Sequence, residues 1–198
     1  MKRDWKILEH DTAYQGFFRI DRYRLQHTLF EGGWSDAVTR EVFERGHAVA
    51  VLPYDPARDQ VLLVEQFRIG ALAADAPGGP WLLELIAGII EDGEAPEEVA
   101  RREAREEAGC ELGELEFVCD YLVSPGGTSE RTCLYLGRTN LEQAGGVHGL
   151  DTEHEDIRVH VVDAGEAIAM ADDGRIANAA GVIGLYWLAR HHARLRGE

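Results

Sequence analysis

Three glutamates stand close together in one charged, helix-forming segment of the chain. The segment GEAPEEVARREAREEAG contains Glu103, Glu106 and Glu107. Pro96 suits a first helical turn and Gly109 suits a C-terminal cap, so the sequence predicts a helix between them. Carboxylates at this spacing can bind a hard divalent cation or exchange protons with a substrate.

Two of these glutamates occupy positions that a structural helix normally gives to apolar residues. At about 100° per residue, Glu103 and Glu107 fall inside the apolar arc of the helix. That arc is defined by Val99, Ala100, Ala104 and Ala108. Two carboxylates roughly 6 Å apart, at an effective dielectric near 20, repel by about 3 kcal/mol, so protons, arginines or a cation must neutralise them. A cation of the Mg²⁺ class suits such a site. The alternative is a salt-bridged helix with arginine partners at Arg101, Arg102 and Arg105.

The composition is that of a globular protein with a strongly acidic surface. The chain has 198 residues, with Asp plus Glu numbering 36, Lys plus Arg 20, and a formal net charge of -16. This charge repels phosphate backbones and anionic lipid, so we expect neither nucleic acid nor a membrane as a partner. Three cysteines are too few for a disulfide framework or a zinc cage, and the N-terminus lacks the apolar core of a signal peptide. We therefore expect a cytoplasmic protein.

The elements that must position the glutamates are mainly strands. Residues 13–31 predict one or two antiparallel strands, and another is expected over residues 38–43. The runs HAVAVLPYD and QVLLVEQFR predict a hairpin, and WLLELIAG is a third short apolar run. Further strands are predicted in LEFVCDYLV, RTCLYLGRT and IRVHVVD, and helices near residues 164–172 and 178–196.

This order of elements predicts an α/β fold with a small appendage. Interspersed helices favour a mixed sheet covered on both faces, which we assign to residues 46–198. Residues 1–45 would form a separate small antiparallel β-sheet. Because the edges of such a sheet need cover, we expect it to mediate dimerisation.

The segment from Gly88 to Cys110, GIIEDGEAPEEVARREAREEAGC, resembles the Nudix box, G-x5-E-x7-R-E-U-x-E-E-x-G-U with U apolar. Its fixed positions are all matched, by Gly88, Glu94, Arg102, Glu103, Glu106, Glu107 and Gly109. Ala104 and Cys110 occupy the apolar positions, where a larger aliphatic residue is commoner at the second. The resemblance implies a Nudix α/β/α sandwich. It also implies hydrolysis of a nucleoside diphosphate linked to another moiety, with Mg²⁺ or Mn²⁺ as two or three ions per site.

The same resemblance assigns roles within the box. It implies that Glu103 and Glu107 are metal ligands, together with the main-chain carbonyl of Ala87. Glu106 would be a further, more variable ligand that takes part in catalysis, and Gly88 would lie at the substrate. The remaining fixed residues would maintain the architecture of the loop, namely Glu94, Arg102 and Gly109.

An acidic loop, HGLDTEHEDIRV, lies far from the box in sequence. Its carboxylates suit a hard cation, although a solvated turn is the alternative interpretation. By resemblance, Glu155 is a further metal ligand and Glu153 the general base for the attacking water. The two are only two residues apart, so the division of roles between them stays open.

Nearly the whole chain resembles the proteobacterial ADP-ribose diphosphatase subgroup. Pro125 in SPGGTSER stands sixteen residues past Gly109, as in that subgroup, although Pro-Gly-Gly also makes a generic turn. The implied reaction is Mg²⁺-dependent hydrolysis of ADP-ribose to AMP and ribose 5-phosphate. The alternatives are hydrolysis of another nucleotide sugar such as GDP-mannose, and a non-catalytic module that binds ADP-ribose.

The subgroup resemblance also assigns substrate contacts. Arg68 would clamp the diphosphate, since a fork of N–H donors suits phosphate oxygens, with a surface ion pair as the alternative. Arg40 and Phe17 would lie on the two faces of the adenine, and Glu130 would lie on the substrate side. These contacts imply a homodimer that exchanges its N-terminal sheets. Alternatively, Phe17 belongs to a core and Glu130 to the surface.

Overall fold

A computed structural model describes residues 2–197 and divides them into two compact units. The first unit runs to His47 and includes Leu122–Arg131. The second comprises Ala48–Tyr121 and the residues from Thr132 onward. The outer limits predicted for the two domains, at residues 1 and 198, lie outside the described residues.

The first unit is a three-stranded antiparallel sheet in the order β1-β2-β3. Its strands are β1 (Trp5–Gln15), β2 (Arg19–His27) and β3 (Val38–Glu44). The predicted strands are confirmed, but β1 begins well before residue 13. All eleven residues of β1 are exposed. The strand therefore lacks the alternation of apolar and polar residues by which a half-buried strand is recognised in a sequence.

The second unit is built on a mixed sheet with the strand order β10-β11-β5-β4-β9-β8. Two further strands lie off this path, because β6 pairs with β5 and β7 pairs with β4. The strands are β4 (His47–Asp55), β5 (Gln60–Phe67), β6 (Trp81–Glu84), β7 (Ile86–Ile90), β8 (Leu115–Leu122), β9 (Arg131–Arg138), β10 (Val147–His148) and β11 (Ile157–Asp163). The helices are α1 (Ile69–Ala73), α2 (Pro96–Ala108), α3 (Ala164–Asp173) and α4 (Ala179–Arg196), with a short 3-10 turn at Asp151–Glu153.

The mixed sheet has an apolar cluster on each face. Successive residues of β5 alternate between the two, so that Leu62 and Val64 enter one cluster and Val61 and Leu63 the other. The first cluster includes the buried apolar side chains of α2, and the second includes those of α3 and α4. Helices therefore cover both faces of a mixed sheet, which confirms the predicted α/β/α class.

The local signals in the chain are largely confirmed. The predicted hairpin joins β4 to β5, with Asp55 opposite Gln60. The apolar run WLLELIAG is divided between the strands β6 and β7, because the chain changes partner at the buried Leu85. Within residues 2–197 no helix is both long and apolar enough to span a membrane, and the three cysteines form no disulfide there.

The helix that carries the three glutamates ends as its sequence predicts. Gly109 has the left-handed φ of 58° and caps α2, where its N–H donates to the carbonyl of Arg105 over 3.0 Å. The N–H of Cys110 reaches back to the carbonyl of Ala104 over 2.9 Å. These two bonds satisfy carbonyls of the last turn and fix the end of α2.

Candidate active site

Glu107 is a buried carboxylate on the face of α2 that packs against the sheet. It is 2% exposed, and its Oε2 accepts a hydrogen bond of 3.1 Å from the main-chain N–H of Ala87, in β7. The pKa of Glu107 is raised to about 8, chiefly by burial; the Ala87 hydrogen bond opposes this rise, and the charge of Glu103 contributes to it. Near neutral pH the Glu107 carboxyl group is therefore either protonated or neutralised by a nearby cation.

Glu103 lies one helical turn before Glu107 and packs over Gly88. A Cβ atom at position 88 would lie 2.0 Å from Oε1 of Glu103, so only glycine leaves room for this carboxylate. The pKa of Glu103 is raised to about 7, chiefly by burial; the charge of Arg102 opposes this rise, and the charges of nearby glutamates contribute to it. Those glutamates are Glu106, Glu155 and Glu153.

Arg102 holds the outer part of the box together. Its Nη1 lies 2.8 Å from Oε1 of Glu103 and 3.0 Å from Oε2 of Glu106, while Nη2 lies 3.8 Å from Oε2 of Glu94. Glu94 in turn accepts a 2.9 Å hydrogen bond from the N–H of Glu91. Glu103 and Glu106 therefore have an arginine partner, as the salt-bridged alternative predicts. Glu107 instead accepts its hydrogen bond from the main chain.

The other two arginines of α2 point away from the glutamates of the box. Arg101 donates to the carbonyl of Leu112, and Arg105 pairs with Glu111 at 3.6 Å. Of the three arginines that the salt-bridged alternative names as partners, Arg102 is therefore the one that pairs with glutamates of the box. This leaves the inner carboxylates with an excess of negative charge.

The acidic loop is tied to the C-terminal end of α2. The N–H of Gly149 donates to the carbonyl of Glu106 over 3.2 Å. Oε2 of Glu155 accepts a 3.2 Å hydrogen bond from the N–H of Leu150, which holds that side chain within the loop. Because the charges of Glu153 and Glu155 reach Glu103, the fold brings together two acidic segments that are distant in sequence.

Arg68 lies just after β5 and forms an ion pair, as its alternative interpretation predicted, but with a partner, Glu84, that the sequence did not indicate. Its Nε donates to Oε2 of Glu84 over 2.6 Å, and its charge lowers the pKa of Glu107. Glu84 ends β6, and its only signal in the sequence is its place as a lone acid in the apolar run WLLELIAG. Because Glu84 pairs with Nε, the positively charged Nη atoms remain at the end of the Arg68 side chain, near enough for the charge to act on the buried Glu107.

Three predicted substrate contacts belong to the first unit. Phe17 is 90% exposed and meets Phe18 edge-on, with ring centroids 4.8 Å apart, so the alternative that places Phe17 in a core is wrong. Arg40 donates to the carbonyl of Thr39 over 2.8 Å, and no cation–π contact joins it to Phe17, both residues being described. Glu130 is buried and pairs with Arg45 at 3.6 Å.

The acidic centre is not a closed metal cage. Within residues 2–197, no three His, Cys, Asp or Glu side chains are grouped so that they could hold a metal ion as they stand. The centre consists of the buried carboxylate of Glu107 and the half-buried carboxylate of Glu103, flanked by the acidic loop and by the guanidinium of Arg68. It is an open, charged site beside the end of a sheet.

Curated proteins from other bacteria resemble the chain along nearly its full length. The ADP-ribose pyrophosphatase of Escherichia coli K12 is 51% identical over 197 residues, covering 100% of this chain and 93% of the relative. That of Haemophilus influenzae is 47% identical over 196 residues, covering 98% and 90%. A GDP-mannose pyrophosphatase of Pectobacterium atrosepticum is more distant, at 38% over 191 residues, covering 96% and 94%.

A solved structure and a family model agree with this likeness. A crystal structure described as an ADP compounds hydrolase superposes with a TM-score of 0.72 at 18% identity, covering 97% of this chain and 96% of the other, and so shows the fold. The model of the NUDIX domain matches residues 44–180, which include the whole box and the acidic loop. The resemblance seen in the sequence is confirmed: the chain belongs to the NUDIX domain family.

Proposed function

We propose that the protein is a divalent-metal-dependent hydrolase that cleaves ADP-ribose to AMP and ribose 5-phosphate. The observation that carries the proposal is the burial of Glu107 on the inner face of α2, where a main-chain N–H is its hydrogen-bond donor. A buried carboxyl group with a pKa raised to about 8 destabilises the fold, so its presence indicates that a cation replaces the proton. The full-length likeness to ADP-ribose pyrophosphatases supports ADP-ribose over GDP-mannose as the substrate.

The donor set of the site suits Mg²⁺, with Mn²⁺ as the alternative. Glu103, Glu107, Glu155 and the carbonyl of Ala87 would hold two or three ions, with Glu106 as a further ligand. Oxygen donors and an excess of negative charge are what hard cations require. When bound, such ions neutralise charge on the diphosphate and lower the pKa of a water molecule that they hold.

The protein's own residues would then perform three tasks. Arg68 would bind the diphosphate through its Nη atoms, since Glu84 already occupies its Nε. Glu153 would accept the proton of the attacking water, whose oxygen forms the new bond to phosphorus while the bridging P–O bond breaks. The departing phosphate leaves as part of AMP or of ribose 5-phosphate, depending on the phosphorus that is attacked.

The remaining residues of the box would keep this arrangement in place. Arg102 and Glu94 hold the outer carboxylates, and Gly109 ends α2 where the acidic loop approaches it. Gly88 would let the substrate and Glu103 share a narrow space, because any side chain there would collide with the carboxylate.

We further propose that the adenine is bound with help from a second copy of the chain. Phe17 is an exposed aromatic ring and Arg40 an exposed guanidinium, and both suit stacking on a base. The fully exposed strand β1 offers an edge through which a homodimer would exchange its N-terminal sheets. Residues 1–45 would thus serve dimerisation, residues 46–198 hydrolysis, and Glu130 would contact the substrate. The proposed location is the cytoplasm.

A substrate panel tests the proposed function. ADP-ribose, GDP-mannose and other nucleotide sugars are incubated with the protein, with Mg²⁺ or with a chelator, and the products are identified in ¹⁸O-labelled water. We expect AMP and ribose 5-phosphate from ADP-ribose, with ¹⁸O in one of them and only when Mg²⁺ is present. A preference for GDP-mannose would show that the protein is a GDP-mannose hydrolase instead. Binding of ADP-ribose without release of AMP would show that it is a non-catalytic module.

A further inference from the structure

A buried glutamine beside the candidate site has an unused hydrogen-bond donor. Gln66 is 7% exposed, and its Nε2 has no hydrogen-bond partner among the described residues. Among residues 2–197 it is the one buried side-chain nitrogen or oxygen atom that has no hydrogen-bond partner. Since a buried donor without an acceptor destabilises a fold, its presence here requires a reason.

The alternation of β5 places this side chain on the face covered by α2. Leu62 and Val64 pack into the cluster that contains the buried apolar side chains of α2, and Gln66 follows Val64 by two positions. Arg68 follows by two more, just beyond the end of the strand. Gln66 and Arg68 are therefore successive side chains on one face.

Pairing with β6 leads to the same placement. Val64 lies opposite Glu84, and Gln66 lies opposite Leu82, so Glu84 shares the face of Val64 and Gln66. Glu84 holds Arg68, whose charge in turn reaches the buried Glu107. The unused amide thus lies on the sheet face that carries Arg68 and is covered by α2, the helix of the buried Glu107.

We infer that Gln66 is a substrate-binding residue whose Nε2 donates to a non-bridging oxygen of the diphosphate held by Arg68. This inference rests on the proposed function. Side chains two apart on a strand are about 7 Å apart, a distance that a diphosphate can bridge. A neutral donor adds a directed bond without adding charge, so Gln66 would orient the diphosphate that Arg68 attracts.

Three variants test the inference. Gln66→Met keeps the length of the side chain but removes the donor, and Gln66→Glu keeps the shape but adds a negative charge. The matched control is Gln60→Met, because Gln60 lies on the same strand and its Nε2 already donates to Asp163 over 3.1 Å. For each protein, kcat and KM for ADP-ribose, the Kd of its non-hydrolysable methylene analogue, and the thermal unfolding of the ligand-free protein are measured.

We expect opposite effects on binding and stability. Gln66→Met should raise both KM and the analogue Kd by about tenfold, with kcat little changed, while its unfolding temperature equals or exceeds that of the unaltered protein. Gln66→Glu should weaken binding further, and Gln60→Met should leave KM and Kd unchanged.

Three results would overturn the inference. One is an unchanged KM and Kd in Gln66→Met, and another is failure of both Gln66 variants to fold, which would make the amide structural. The third is a fall in kcat alone, which would place the donor at the attacking water. If the unaltered protein itself releases no AMP from ADP-ribose, the proposed function fails instead, and this is seen before any variant is made.

Discussion

Oε1 of Glu103 occupies the space in which a side chain at residue 88 would begin, since a Cβ atom on Gly88 would lie 2.0 Å from it. The glycine that opens the box and the half-buried Glu103 of α2 are thus fitted to each other. The fit explains why these two types occur together, fifteen positions apart in sequence. It also implies that Gly88 serves the carboxylate rather than a turn.

Gly88→Ala should therefore damage the site without damaging the fold. The new methyl group would push the end of a flexible side chain aside, so we expect kcat/KM for ADP-ribose to fall by about ten- to a hundredfold. The thermal unfolding temperature should change little. Gly165→Ala is the matched control, because a Cβ atom at Gly165 meets nothing within 4 Å. Equal activity in both variants would contradict the role given to Gly88.

The raised pKa of Glu107 predicts how the stability of the metal-free protein depends on pH. The folded state keeps the proton up to about pH 8, whereas the unfolded chain releases it near the ordinary value of 4.5. Because the unfolded state binds fewer protons between these values, the free energy of unfolding should fall as pH rises through this window. The slope for one proton is at most about 1.4 kcal/mol per pH unit.

Glu107→Gln should remove that part of the slope. Denaturant unfolding of both proteins between pH 4.5 and pH 8, in chelator, measures the difference. We expect the variant to gain stability relative to the unaltered protein as pH rises, while losing turnover by orders of magnitude. Parallel pH profiles would show that Glu107 carries no perturbed proton in the folded state.

The ion pair between Glu84 and Arg68 should affect substrate binding. Arg68→Ala should raise KM strongly, and Glu84→Gln should raise it by about three- to tenfold because the guanidinium loses its partner at Nε. The double variant should cost little more than Arg68→Ala alone, since Glu84 acts through Arg68. Glu116→Gln, which breaks the surface pair with Arg194, is the control and should leave KM unchanged. Additive effects of the Glu84 and Arg68 changes would refute this dependence.

Separate substitutions can assign the two glutamates of the acidic loop. Glu153→Gln should lower kcat while Mg²⁺ affinity is retained, as expected for a general base. Glu155→Gln should instead weaken Mg²⁺ binding, so that higher Mg²⁺ restores part of its turnover. Calorimetric Mg²⁺ titration and kcat at several Mg²⁺ concentrations distinguish the two. The reverse pattern would exchange their roles.

Local signals in the sequence predict much of the fold. Pro96 and Gly109 mark the ends of α2, and the apolar arc of α2 correctly places Glu107 on its buried face. Asn178 begins α4 as a cap that accepts from the N–H of Gly181 over 2.9 Å. These features depend on residues within one or two helical turns, so the sequence carries them directly.

Contacts between segments that are distant in sequence could not be predicted from the sequence. The pair of Arg68 with Glu84, and the placement of Gln66 on the same face, follow from the register of β5 against β6. The strand β10 and the helix α1 are too short to show a period. The start of β1 was missed because a strand exposed on both faces shows no alternation.

Calorimetric titration of Mg²⁺ into the nucleotide-free protein near pH 7, in buffers of different ionisation heat, tests the central claim most directly. Glu103 and Glu107 have raised pKa values of about 7 and about 8, so both hold protons there in part. We predict millimolar or tighter Mg²⁺ uptake with release of protons, and loss of both in Glu107→Gln. Absence of Mg²⁺ uptake, or uptake that Glu107→Gln leaves unchanged, would contradict the claim that these carboxylates are held for a metal ion.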